Sequence, residues 1–246
     1  MSGHQLPGSC PQSSALSTQH LEWRRVLKYV LKVPTRAADD ERLPLVLLMH
    51  GRGADANDLA DVAPMLDPPG GARFVFPNAP KPFEAAPGMT FGYTWFEGWP
   101  PRGESLQESR ALLLELIDHL VARYPTPPGK LIISGFSQGG LMSIDAGYRT
   151  KQPLAAIVVM SGAIAEADAP DFAAKKDVPV LIVHGTEDDM IPVLAARRAR
   201  RLLEGHGIEP EYHEFPMGHQ VTPESMEIVR NFMAERLLQS TAHASK

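Results

Sequence analysis

The chain has 246 residues, with 24 Lys and Arg against 29 Asp and Glu and a formal net charge of −5. That length can bury a sizeable core within one domain, and the acidic balance does not suit a general nucleic-acid or anionic-membrane surface. One cysteine, Cys10, excludes an intramolecular disulfide, no Cys/His spacing points to zinc, and every apolar run is only strand length, so no transmembrane helix is expected.

Residues 1–19 are rich in Ser, Gln, Pro and Gly and lack the basic start and apolar centre of a secretory signal. A disordered tail is expected there, ahead of a single domain over 20–246 in the cytoplasm. Residues 21–33 read as an early strand or hairpin, and 45–49 and 73–76 as further strands. Residues 78–103 then break the rhythm. Pro, Gly and the rings of Phe83, Phe91, Tyr93, Trp95, Phe96 and Trp99 crowd together without a period, which predicts a long loop forming a wall or partial cover of a pocket. Trp95 is its candidate substrate contact, the alternative being that these rings pack the loop onto the body.

Ser105 and Glu108 have capping-box spacing at the head of a helix running to about residue 124. Strands follow at 131–133, 154–160, 178–183 and 211–215. The intervening helices are read over 140–148 and 193–205. The second carries Arg197, Arg198, Arg200 and Arg201, read as a solvated face. Thr222 as N-cap and Pro223 at the first position open a last helix to about 238. Such alternation gives an α/β fold: a mainly parallel sheet covered by helices on both faces.

The segment carrying most chemical information is Gly135-Phe136-Ser137-Gln138-Gly139, because it joins an apolar strand to a helix. A serine at the apex of such a turn has its hydroxyl pushed into the open, and glycines two residues away on either side remove Cβ atoms that would clash. The Gln138 N–H, at the helix start, can donate to a developing oxyanion. A serine needs a base and an orienting acid to become nucleophilic. Two loops at strand ends supply them in the order acid, then histidine: His184-Gly185-Thr186-Glu187-Asp188-Asp189 and Pro216-Met217-Gly218-His219. Glu187, Asp188 and Asp189 compete as the acid. His213 competes with His219, although a loop histidine after glycine swings more readily toward a serine than one within a strand.

With Leu48-Met49-His50-Gly51-Arg52-Gly53, these motifs resemble the phospholipase/carboxylesterase family of α/β-hydrolases, which includes acyl-protein thioesterases and small bacterial carboxylesterases. The resemblance implies a triad of Ser137, Asp188 and His219, and oxyanion donors in the backbone N–H groups of Arg52 and Gln138. His50 and His184 are then structural, and the Arg52 side chain anchors its loop to Asp55, Asp58 or Asp61. The implied activity is carboxylic-ester hydrolysis, with acyl thioesters or lysophospholipids as alternative substrates of the same machinery. No cofactor or metal is implied. The expected partner is a small-molecule ester, a homodimer is compatible with the fold, and neither nucleic acid nor integral membrane association is expected. A non-catalytic binding protein on the same fold is the alternative from a different class.

Overall fold

The runs at 45–49, 131–133, 154–160 and 180–183 are apolar at successive positions, which suits strands covered on both faces. The computed structural model describes residues 26–33, 42–99, 101 and 103–238. In chain order its elements are β1 (Tyr29–Lys32), β2 (Leu45–Met49), α1 (Ala56–Ala60), α2 (Ala63–Leu66), β3 (Arg73–Pro77), β4 (Lys81–Ala86), β5 (Met89–Thr94) and α3 (Glu104–Arg123). They continue with β6 (Leu131–Phe136), α4 (Gln138–Arg149), β7 (Leu154–Met160), β8 (Val180–Gly185), α5 (Val193–Gly205), β9 (Glu211–Phe215) and α6 (Pro223–Leu238).

Among the described residues, seven strands form one sheet in the order β1-β3-β2-β6-β7-β8-β9. Only β1 runs antiparallel to its neighbour; the other pairs are parallel. Parallel neighbours need crossovers, and the helices that provide them cover both faces. Val46, Leu48, Phe74, Val158 and Leu181 pack one face against α1, α2 and α6. Leu45, Leu47, Val75 and Ile133 pack the other against α3 and α4, and Ile157, Val159 and Ile182 continue it toward α5. Alternate residues of one strand therefore serve opposite cores.

Three expectations are corrected. Residues 78–103 are not a loop throughout: β4 and β5 form a separate antiparallel hairpin with Pro87 and Gly88 at its turn. Both strands are largely exposed, so no core face imposes an alternating pattern that could announce them. The Ser105 capping box does not form. Gly103, at φ 83°, takes the N-cap position two residues before Ser105, and Ser105 Oγ instead accepts from the Glu97 N–H at 3.2 Å. Of the early strand, only Tyr29–Lys32 is extended; residues 21–25 and the expected tail over 1–19 lie outside the described residues.

The cap of α6 follows the sequence closely. Thr222 Oγ1 accepts from the Ser225 N–H at 3.3 Å, and Ser225 Oγ accepts from the Thr222 N–H at 2.9 Å. On α5, Arg197 pairs with Glu214 at 2.6 Å and Arg200 with Glu204 at 2.6 Å, as a solvated basic face should.

A denser charge cluster fixes the helix behind the serine. Arg110 on α3 bonds Asp145 at 2.7 and 2.9 Å and Asp168 at 2.7 Å, while Arg149 bonds Asp145 at 2.7 Å. Asp145 is buried, so its two partners compensate a charge that water cannot reach. Asp145→Asn should therefore cost about 3 kcal/mol, the low end for a broken buried pair because both arginines keep some hydration. Urea unfolding measures it; a loss below about 1 kcal/mol would show that the cluster is not tying α3 to α4.

Candidate active site

The end of β6 and the start of α4 meet at Ser137, whose backbone takes φ 57° and ψ −118°. A non-glycine residue at positive φ is costly, by roughly 1–3 kcal/mol, and persists only where its surroundings enforce it. Here they do. A Cβ on Gly139 would lie 2.1 Å from the Met49 carbonyl oxygen, and one on Gly135 would lie 2.2 Å from the Gly139 oxygen. The helix start thus passes directly under the end of β2. Ser137 N–H donates to the Met160 carbonyl at 2.9 Å, which pins the apex to β7.

The loops after β8 and β9 bring the two partners to this serine. His219 Nδ1 is 2.7 Å from Asp188 Oδ2, and its Nε2 is 2.9 Å from Ser137 Oγ. A carboxylate only accepts, so Nδ1 carries the proton and the Nε2 lone pair faces the serine hydroxyl. Asp188 is itself held: its Oδ1 accepts from the N–H groups of Met190 at 3.0 Å and Ile191 at 2.8 Å. The loops are joined where the Glu187 N–H donates to the Met217 carbonyl at 3.1 Å. Phe136 packs against the His219 ring at 4.9 Å between centroids.

The competing residues lie elsewhere. Glu187 and Asp189 are exposed. His213 points away along β9, with Nε2 2.9 Å from Glu211. His184 is fully buried, donates from Nε2 to the Ile191 carbonyl at 2.8 Å, and stands 3.4 Å from Asp188 Oδ2, so it backs the acid. His50 donates from Nδ1 to the Gly51 carbonyl at 2.7 Å and accepts from the Ala79 N–H at 3.0 Å.

Gly51 packs against Ser137, its hypothetical Cβ 3.2 Å from the serine's own. Arg52 follows immediately. Among the described residues, neither its N–H nor that of Gln138 has a hydrogen-bond partner, and the second is the orphan donor expected at the first position of a helix. The Arg52 side chain does not anchor to the expected aspartates. It lies over the Phe83 ring at 4.6 Å, while Asp55 and Asp58 are engaged in capping α1.

Trp95 also departs from expectation. It is fully buried rather than facing a pocket: its indole N–H donates to the His50 carbonyl at 2.9 Å, and its backbone N–H donates to Gln138 Oε1 at 3.0 Å. A ring this large with a polar edge is stable inside only when that edge is bonded, and the His50 carbonyl provides the bond. Thr94 Oγ1 donates to the same Gln138 oxygen at 3.0 Å, and Gln138 Nε2 donates to the Phe96 carbonyl at 2.9 Å. Sequence reasoning missed this bracket. Its readable sign was Pro87-Gly88, a turn dipeptide between two short runs. A cavity of about 370 Å³ opens beside it, lined by Arg52, Phe83, Glu84, Thr94, Phe96 and Glu97. Among the described residues, no group of three or more His, Cys, Asp or Glu side chains could hold a metal ion, and no helix is long and apolar enough to cross a membrane.

A sequence profile of the phospholipase/carboxylesterase family matches residues 33–237, and the chain belongs to that family. It is a hydrolase of the esterase and thioesterase class on the α/β-hydrolase fold. It is similar to acyl-protein thioesterase 1 of Neurospora crassa, at 29% identity over 67% of this chain and 74% of that protein. A rice protein (Oryza sativa subsp. japonica) named "Probable carboxylesterase" is 28% identical over 80% of this chain and 89% of its own length. Among solved structures, esterase PE8 superposes with a TM-score of 0.69 at 30% identity, covering 84% of this chain and all but 1% of its own (99%).

Burial holds the pKa values of His50 and His184 below the ordinary 6.5, because a charged imidazole would lose its hydration there. Their folded values are lowered, so the stability they contribute is complete above 6.5 and is lost as pH falls toward those values, the unfolded chain taking up protons first. Glu214, held down to about 2 chiefly by its bond to Arg197, adds a second loss as pH falls below 4.5. Melting temperature should thus decline between about pH 6.5 and 5. A flat profile across that window would contradict neutral burial of the two rings.

Proposed function

We propose that the protein hydrolyses carboxylic esters through an acyl-enzyme on Ser137. The observation that carries this reading is the continuous chain from Ser137 Oγ through His219 to Asp188, 2.9 and 2.7 Å, on a serine whose backbone is held at positive φ. In it, Ser137 attacks the ester carbonyl while His219 Nε2 takes the hydroxyl proton. Asp188 holds the tautomer and stabilises the imidazolium as it forms. The unpartnered N–H groups of Arg52 and Gln138 receive the negative charge that grows on the carbonyl oxygen; each such donor is worth about 3 kcal/mol. His219 then protonates the leaving alcohol; a water that takes its place gives a proton to the same nitrogen and attacks the acyl carbonyl, and the carboxylic acid leaves as the bond to Ser137 Oγ breaks and His219 returns the proton to that oxygen. Ser137 emerges free.

The same sequence of proton transfers serves an acyl thioester, whose thiol leaves more readily than an alcohol. This second reading is favoured by the similarity to acyl-protein thioesterase 1. Turnover of chromogenic esters of increasing acyl length, set against the corresponding acyl thioesters, decides between them. We further take the reaction to be cytoplasmic and the chain to be competent as a monomer or homodimer, since every proposed catalytic group comes from one copy.

The roles are tested by neighbouring acids. Asp188→Asn keeps the size but lets an amide face the imidazole in the wrong tautomer, which in the well-studied serine protease triad costs about 10⁴-fold in kcat. Asp188→Asn should lower kcat by orders of magnitude, Asp189→Asn should stay within about tenfold of the unmodified protein, and Ser137→Ala should leave only background. The reverse pattern between the two aspartates would move the orienting acid to Asp189.

A further inference from the structure

The loop bearing Arg52 is short and exposed at its tip, yet an oxyanion donor must not move during the reaction. Its rigidity comes from the β4–β5 hairpin. The Gly53 N–H donates to the Tyr93 carbonyl at 2.8 Å, and the Tyr93 N–H donates to the Ala54 carbonyl at 2.8 Å. The two bonds make a small bridge between β5 and the loop. On the far side of Arg52, Gly51 abuts Ser137. The Arg52 peptide is thereby fixed at both ends, and its guanidinium rests on Phe83 of the same hairpin.

Such close approach is possible at one residue only because it has no side chain. Gly92 takes φ +60°, and a Cβ there would lie 2.4 Å from the Gly53 oxygen and 2.5 Å from the Ala54 oxygen. Both are backbone atoms, so no side chain can swing aside to make room. We propose that Gly92 is a positioning residue for the oxyanion hole: by letting β5 dock directly on residues 53 and 54, it holds the Arg52 N–H toward Ser137. The inference rests on the serine-hydrolase reading above. It extends that reading by giving a function to the hairpin, which continues into Thr94, Trp95 and Phe96 and there brackets Gln138, the residue of the second donor. One segment therefore ties both donors into a single frame.

Gly88, at the hairpin turn, supplies the control. It has φ +76°, yet a Cβ there meets nothing within 4 Å. Alanine at either position incurs the positive-φ penalty, and only at Gly92 does it also push on the oxyanion loop. Gly92→Ala should lower kcat on a chromogenic ester about 10- to 100-fold, a partial form of the loss seen when an oxyanion donor is deleted, with KM within about threefold. Inhibition by phenylboronic acid, which forms a tetrahedral adduct, should weaken in step with kcat. Gly88→Ala should stay within about twofold on every measure. Equal kcat in the two variants, or a boronate affinity unchanged in Gly92→Ala, would overturn the proposal. If Gly92→Ala does not fold, Phe83→Ala carries the test, because it loosens the loop without backbone strain: kcat and boronate affinity must both fall at least about threefold, and no change in either refutes it. Absence of ester and thioester turnover in the unmodified protein would instead defeat the hydrolase reading itself.

Discussion

The structure depends on one backbone crossing, where the first turn of α4 passes beneath the end of β2. Contact at the distance of the Met49 carbonyl and Gly139 leaves no space for a single Cβ, and it forces Ser137 into a conformation that serine adopts only under constraint. The same crossing sets the loop after β2 beside the serine and turns the first N–H of α4 into the open. The strained Ser137, the loop after β2 and the open helix N-terminus are thus products of a single packing event. The tight contact is supported from both sides: Ser143 on α4 donates to the carbonyls of Gly140 and Val158, and the Arg110–Asp145–Arg149 cluster ties the helix to α3.

Around that crossing, three buried side chains are tied in by hydrogen bonds. His50 uses both ring nitrogens, Gln138 uses both amide atoms, and Trp95 uses its indole N–H. Apart from the bond of His50 Nδ1 to the adjacent Gly51 carbonyl, each of these joins a residue of 78–96 to His50 or Gln138 beside the serine. A buried polar group with its partners in place costs little, and one that loses a partner costs its full desolvation. The arrangement is therefore rigid, as the donor role proposed for Arg52 and Gln138 requires.

Much of this was legible in the sequence. The buried strands announced themselves because parallel strands covered on both faces read as unbroken apolar runs, and Leu45–Met49 and Leu154–Met160 have the bounds read from residues alone, as does the partly exposed edge strand Glu211–Phe215. Order and loop position pointed to Ser137, an acidic loop and a later histidine, and the family resemblance singled out Asp188 and His219, which the structure brings to Ser137. What stayed hidden was whatever depends on exposure or on contacts between distant segments. The hairpin has too little core to leave a period. Trp95 looked like a pocket wall because a sequence shows that a ring is large and not what its N–H bonds; likewise Arg52 found the face of Phe83, 31 residues on, instead of a nearby aspartate.

The central claim is that the strained serine, and no other side chain, is the nucleophile. It is tested most directly by treating the protein with a fluorophosphonate and locating the covalent adduct by peptide mass spectrometry. The account predicts one adduct per chain, on Ser137, formed in step with loss of turnover and strongly slowed in His219→Ala. An adduct on a different residue that tracks the loss of activity, or full turnover with Ser137 phosphonylated, would contradict it.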